Sequence, residues 1–380
     1  MAGLYVHIPF CKSRCIYCGF YSTTLTRLAD EYVEAVCTEL NGLAGDPWHR
    51  RLLETTETVY LGGGTPSQLS TALLGRLFDA IAKTCGPLDA MEVTIECNPD
   101  DLTPQYVKEL SCLPVNRVSM GAQTFSDERL RFLHRRHKSS QVGEAVTMLR
   151  EAGIGNISID LMFGFPGETM EEWEADIHEA LGLQVEHISA YGLMTEEGTE
   201  LCRLMQEGKV KEIDEDLSLR MYETIIDRLT AAGYEHYEIS NFALPGHHSR
   251  HNSSYWDGTP YIGIGAAAHS YDVDTRWWNV SDVRQYISRM KAGESAVEER
   301  EVLSKATRYD DTVMTALRTR RGLRIDHVEQ QFGHEMKDYL MANALPHLQA
   351  SRLTMENGWL RLTRQGLFVS DSVMADLMFV

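Results

Sequence analysis

The chain has 380 residues, 43% of them apolar and 9% aromatic, which suffices for one barrel-sized core plus an appendage. Its 55 acidic residues against 36 basic ones give a net charge of -19, a field that repels phosphate backbones and argues against a nucleic-acid partner. No apolar run reaches the length of a membrane span, so at most a peripheral membrane contact is expected. The segment Met1–His7 has neither the basic nor the apolar region of an export signal. Cys37, Cys85, Cys97, Cys112 and Cys202 are scattered and lie mostly in apolar surroundings. A reducing, cytoplasmic setting without a disulfide framework is therefore expected.

In chain order, short β-branched runs alternate with longer helical patterns. The predicted strands are Leu4–Ile8, Thr58–Leu61, Glu92–Glu96, Arg117–Met120, Ser158–Met162 and His187–Tyr191. The predicted helices between them are Thr26–Leu43, Pro66–Thr84, Pro104–Leu110, Asp127–Ala152 and Met170–Gly182. Such alternation implies a parallel sheet with right-handed crossovers. Six units are too few for a closed eight-fold barrel, so the expected fold is α/β, a partial (β/α)6 TIM-like barrel. Chemistry is then expected at the C-terminal ends of the strands. The polar or glycine-rich segments that follow all six strands fit that rim. A further helix is expected over Glu212–Ala232, and the acidic stretch Gly293–Glu301 reads as a linker or solvated surface. Helices over Lys305–Arg318, Arg324–Phe332 and Met336–Ser351, then a hairpin Leu353–Asn357 and Trp359–Leu362, suggest a small winged-helix-like α+β domain. The expected domains are 1–282 and 283–380.

The first rim segment carries Cys11, Cys15 and Cys18. Three closely spaced thiolates can hold three irons of a [4Fe-4S] cluster and leave the fourth open to a small molecule. The competing reading is zinc, which wants four ligands, and no fourth Cys or His lies nearby. After the second strand, Gly62-Gly63-Gly64-Thr65 offers close backbone approach and N–H groups for a charged ligand end. An ordinary tight turn would read the same in isolation. Glu96 could accept ribose hydroxyls or sit in a rim salt bridge. Gln123, Arg135 and Asp160 surround the fourth and fifth strands. Asp160 lies in an apolar run and needs a partner, whereas Arg135 alone reads as a solvated member of Arg131–Lys138. In His251-Asn-Ser-Ser-Tyr255-Trp256, a histidine beside two aromatics could ligate and flank a porphyrin. On residues alone, a turn with Trp256 in the core is the stronger reading. With His236, His247, His248 and His269 near in sequence, a second metal site is conceivable. Gly263-Ile-Gly265 lacks dinucleotide-motif spacing and reads as a close-packed turn.

Together these motifs resemble the radical SAM coproporphyrinogen III oxidase-like family, over nearly the whole chain. Tyr5-x-His7-Ile-Pro-Phe-Cys11, Gly-Gly-Gly-Thr-Pro66, Ser119-Met-Gly-x-Gln123, Ile159-Asp160-Leu and Gly164-Phe-Pro-Gly167 all stand in the family's order. The resemblance implies a barrel of the radical SAM type, with the cluster on Cys11, Cys15 and Cys18 and S-adenosyl-L-methionine (SAM) on its open iron. By position, Tyr5, Gly63 and Glu96 would contact this SAM. Tyr17, Gly64, Thr65, Gln123, Arg135, Asp160 and Met194 would match the surroundings of a second SAM. The oxidase branch has a further cysteine where this chain has Phe20, and a long N-terminal extension that is not expected here. The segment His251-Asn-x-x-Tyr-Trp256 instead resembles the HemW-type heme chaperone branch. That branch implies a heme contact at His251, with Tyr255 and Trp256 shaping the pocket. It also implies delivery of heme to heme-accepting, possibly respiratory, proteins and an electron donor for the cluster. Oxygen-independent coproporphyrinogen oxidation, a step of porphyrin biosynthesis, is the alternative activity.

Overall fold

The computed structural model describes residues 2–379. Twelve strands form one sheet. Its centre is β1 (Ala2–Ile8), β2 (Thr56–Gly63), β3 (Glu92–Cys97), β4 (Arg117–Gln123), β5 (Asn156–Phe163) and β6 (His187–Gly192), parallel and adjacent in chain order. The period of two in β1 shows how the sequence builds this. Leu4, Val6 and Ile8 are fully buried against the helices, while Tyr5 and His7 face the other way, toward the concave side. The helices cross back over the outer face, as the right-handed crossover rule requires.

The barrel stays open because both central edges are taken by other strands. β7 (Glu235–Glu238) and β8 (Asn241–Ala243) form a hairpin, and β8 runs antiparallel on β6. β9 (Tyr261–Ile264) runs parallel to β1 and is extended by β10 (His269–Tyr271), β11 (Thr275–Asn279) and β12 (Val297–Val302). The segment expected to be a close-packed turn is thus partly strand. Its packing is close all the same, since a Cβ on Gly265, at φ 98, would lie 2.7 Å from His7 O.

Two further expectations need correction. The acidic linker contains β12, an edge strand whose charged residues are exposed, a pattern that protects an edge from further pairing. The single helix expected over Asp127–Ala152 is two helices, Asp127–Phe132 and Ser140–Glu151, separated by a turn in which His134 has φ 60.

Helix Val283–Ala292 buries Tyr286, Ile287 and Met290 in the barrel's core. A second core starts at Tyr309 and includes Leu317, Phe332, Leu340, Leu353 and Leu377. This packing argues for a boundary near Leu303 rather than at 283. The second unit has three antiparallel strands, β13 (Leu323–Arg324), β14 (Leu353–Glu356) and β15 (Trp359–Leu362), with β15 central. The expected break in its long helix falls at Gly333, with φ 82.

Candidate functional site

The cysteine loop leaves β1 and is tied back at several points. Cys11 N donates to Thr23 O (2.9 Å) and Thr23 N to Pro9 O (2.7 Å). At mid-loop, Ile16 N donates to Leu133 O (3.3 Å) and Leu201 N to Ile16 O (2.9 Å). Cys11, Cys15 and Cys18 are all free thiols, partly buried at the rim. Among the described residues, no three His, Cys, Asp or Glu side chains converge tightly enough to hold one metal ion. Thiolates are the usual protein ligands of iron–sulfur clusters, so the chemistry of this donor set suits one. Burial pushes the Cys11 and Cys18 thiols up, and the neighbouring thiols add to the shift. Loading must therefore displace protons.

Two side chains address the sulfurs. Thr65 Oγ1 lies 3.4 Å from Cys11 Sγ, and Arg135 Nη1 lies 3.7 Å from Cys15 Sγ. Arg135 is not on a solvated helix face, because it falls in the turn between the two helices. Its Nη2 donates to Asn98 Oδ1 (2.5 Å) and Gly121 O (2.6 Å). Gly121 makes room for this, since a Cβ there would lie 2.9 Å from Arg135 Nη2. Tyr17 packs beside Leu133, Met162 and Phe165.

The glycine segment works through proximity more than through free donors. Gly63 N already donates to Glu96 Oε2 (3.0 Å) and Gly64 N to Ile8 O (2.9 Å). A Cβ on Gly64 would lie 2.7 Å from the Pro9 carbonyl carbon, so β2 can approach the root of the cysteine loop only without one. Glu96 is no rim salt bridge. Its carboxylate accepts from Tyr60 Oη (2.8 Å) and from Gly63, and burial pushes it up to about 7. Tyr5 Oη lies 3.1 Å from His7 Nδ1, and its ring stacks on Tyr60. Gln123 is buried where β4 bulges, at φ 68. Asp160 stands in register with Gly121, and burial raises its carboxyl against the pull of Ser189 and Arg117. Met194, past β6, is 68% exposed. Tyr5, Tyr17, Gly63, Gly64, Thr65, Glu96, Gln123, Arg135 and Asp160 thus gather around the loop and the concave face beneath it.

The histidine–aromatic motif lies elsewhere. Helix Arg250–Trp256 crosses the starts of the strands, where Glu92 accepts from Arg250 N and His251 N (both 2.9 Å). His251 is fully buried, with Nδ1 2.8 Å from Thr58 Oγ1 and Nε2 2.9 Å from Tyr255 Oη. Its ring stacks on Tyr60 at 5.0 Å, and burial holds its pKa down to about 3. No ring nitrogen remains for an iron, so this geometry argues against the expected heme contact. Trp256 lies under the Arg318 guanidinium at 4.7 Å, facing the second domain. The histidines expected near a second metal also disperse: His236 bonds Ile239 O (3.1 Å) and His248 bonds Glu235 (2.8 Å).

Several supporting residues were missed in the sequence. Asp101 accepts from Ser67 Oγ (2.8 Å) and Arg136 Nη2 (3.0 Å), and lies 3.7 Å from Lys12 of the cysteine loop. Asn98 orients Arg135. The segment Asn98-Pro-Asp-Asp101 after a strand was the available signal. Sequence alone does not tell a buried turn carboxylate from a solvated one.

A three-thiol loop at the C-terminal rim of an open parallel barrel defines the class: this is a radical SAM protein. Residues 5–180 match the Radical SAM superfamily, and residues 303–369 match the HemN C-terminal domain. The chain is 38% identical over 329 residues to the heme chaperone HemW of Lactococcus lactis, covering 86% of this chain and 84% of that one. To the heme chaperone HemW of Bacillus subtilis it is 35% identical over 379 residues, covering 98% of each. The chain belongs to the HemW family. Its fold matches coproporphyrinogen III oxidase (HemN) from Escherichia coli with a TM-score of 0.84 at 22% identity, over 99% of this chain and 90% of that one.

Proposed function

We propose that this chain carries heme and passes it to heme-accepting proteins, respiratory ones among them, while holding a [4Fe-4S] cluster and SAM at the barrel rim. The observation that carries the reading is the full-length relationship to proteins named heme chaperones, 98% of this chain in the Bacillus subtilis case. Phe20 adds to it. It stands where the oxidase branch has a further cysteine, and it is 72% exposed. The fold shared with HemN does not choose between chaperone and oxidase.

Cys11, Cys15 and Cys18 would hold the cluster, and Glu96, Tyr5 and the glycine segment would meet SAM. When bound, the pair supplies one-electron reducing chemistry, fed by an electron donor. The residues of the chain hold and insulate that site. Arg135 sets a positive charge beside Cys15, and Thr65 stands beside Cys11. The Asp101–Arg136–Lys12 group ties the loop to the end of β3. Glu96, with its pKa near neutrality, can accept hydroxyls of a bound ribose as a carboxylate or donate one bond as an acid. No helix among the described residues is long and apolar enough to cross a membrane, so contact with a membrane-bound recipient would be peripheral.

The direct test is transfer. The reconstituted protein is loaded with heme and mixed with a heme-free respiratory cytochrome, and the recipient's spectrum is followed. Heme movement faster than release into buffer is expected. Retention of heme, or transfer no faster than from free heme, would reject the reading.

A further inference from the structure

The concave face of the barrel holds a cation that the cysteine loop does not explain. Val118, Met120 and Ala122 of β4 are buried against the helices, so the alternating residues Arg117 and Ser119 face inward. Arg117 is 1% exposed and is among the largest fully buried side chains of the protein. Its Nε and Nη1 have no hydrogen-bond partner among the described residues. The same holds for Oγ1 of Thr94, the β3 residue in register with Arg117. Burying a guanidinium is unfavourable unless opposite charge stands close by.

Two carboxyl groups stand further along the same face. Glu96 on β3 is level with Ser119, one inward-facing step past Arg117, and Asp160 on β5 is level with Gly121, one step beyond that. A step is about 7 Å along the strand, which an arginine side chain spans. Burial pushes Glu96 up to about 7 and raises Asp160, and the Arg117 guanidinium pulls both back. Arg135 pulls on Asp160 as well, from the turn beside the cysteine loop. The remaining titratable groups around Glu96 bring no positive charge. Tyr5 from β1, Tyr60 from β2 and Tyr255 from the helix Arg250–Trp256 are phenols kept neutral by burial, and Asp160 repels Glu96. The imidazoles of His187 and His251 are neutral too, held down by burial and by Arg117 itself.

We infer that Arg117 is a positioning residue of the SAM site, its buried charge keeping Glu96 an acceptor for the ribose hydroxyls. The inference rests on the reading that Glu96 meets SAM. The Glu96 oxygens already accept one bond each, from Tyr60 Oη and Gly63 N. An ionised carboxylate has lone pairs left for a pair of ribose hydroxyls, whereas a protonated one has fewer and turns one oxygen into a donor. Arg117 touches no reacting atom in this arrangement. It acts through Glu96, and Asp160 shares its charge.

The test is the SAM affinity of the cluster-reconstituted full-length protein, measured by anaerobic equilibrium dialysis for wild type, Arg117→Met, Arg117→Gln and Arg117→Lys. At about pH 7 the neutral variants should bind roughly threefold more weakly than wild type, because Glu96 then holds its proton to higher pH. At about pH 9, where Glu96 ionises without help, the gap should close. Arg117→Lys, which keeps a cation, should stay near wild type at the lower pH. The amino group of SAM titrates alike with every one of these proteins and cancels from the ratio. A gap of equal size at both pH values, no gap at all, or loss of the fold in both neutral variants would make Arg117 merely structural and overturn the assignment, with the SAM reading intact. If wild type binds no SAM, both fall.

Discussion

His251 bridges Thr58 and Tyr255 beneath the Tyr60 ring. His251→Ala would orphan both hydroxyls and open a cavity, at a cost on the order of 2–4 kcal/mol. A lowered denaturant midpoint at unchanged slope, with heme affinity retained, is the expected result. Glu39 gives a second prediction at this scale. Its buried carboxylate accepts from Gly265 N (2.8 Å), Asn279 Nδ2 (2.6 Å) and Tyr286 Oη (2.5 Å), and burial pushes its pKa up to about 7. A folded pKa above the unfolded value means the native state holds this proton longer. Its contribution is therefore complete at low pH and falls as pH rises from the unfolded value of 4.5 through about 7. His7 and His251 act oppositely, since their lowered pKa values add stability as pH rises toward 6.5. Glu39→Gln isolates the first effect. From about pH 5 to about pH 8, the variant's stability relative to wild type should improve by roughly 2–3 kcal/mol. A gap that does not move with pH would reject this.

At the scale of elements, the glycine segment sets where the cluster loop can stand. Gly64→Ala would drive a methyl into the Pro9 backbone, which has no side-chain freedom to yield. Reconstituted protein should then carry less iron and sulfide per chain than wild type, with far-ultraviolet circular dichroism unchanged. Equal loading would show that the close approach is not needed. The six central strands were legible because each alternates or runs apolar against helices on its outer face. Other elements were hidden for physical reasons. β12 is so heavily charged that it reads as solvated surface, although an edge strand is where such charge belongs. β8 and β10 have three residues each, too few for a period to show. The turn carrying Arg135 has neither Gly nor Pro, so the helical pattern ran through it and made Arg135 look exposed. The place of the cysteine loop at the rim was legible, because it directly follows the first predicted strand. The floor position of His251 was not, because residue types do not say which end of a barrel a helix closes.

At the scale of the whole molecule, the second domain is held to the barrel by a small number of identifiable links. Ile239 N donates to Arg318 O (3.1 Å) and Arg320 N to Tyr237 O (3.0 Å). Arg364 makes a bidentate pair with Asp227 (2.5 and 2.9 Å). Arg318 covers Trp256 and lies 3.8 Å from the buried Glu238. Trp256 thus joins the barrel floor to the second domain. Arg318→Ala should cost on the order of 1–3 kcal/mol, because Glu238 loses its cation and Trp256 its cover. Faster proteolysis near Leu303 is the expected readout, and an unchanged cleavage rate would contradict it. The claim that unites these scales is that this radical SAM barrel carries heme. The most direct measurement is anaerobic titration of the cluster-reconstituted protein with heme, with coproporphyrinogen turnover followed on the same sample beside an active oxidase control. Saturable heme binding without turnover is the expected result. Turnover of coproporphyrinogen with weak or absent heme binding would contradict it.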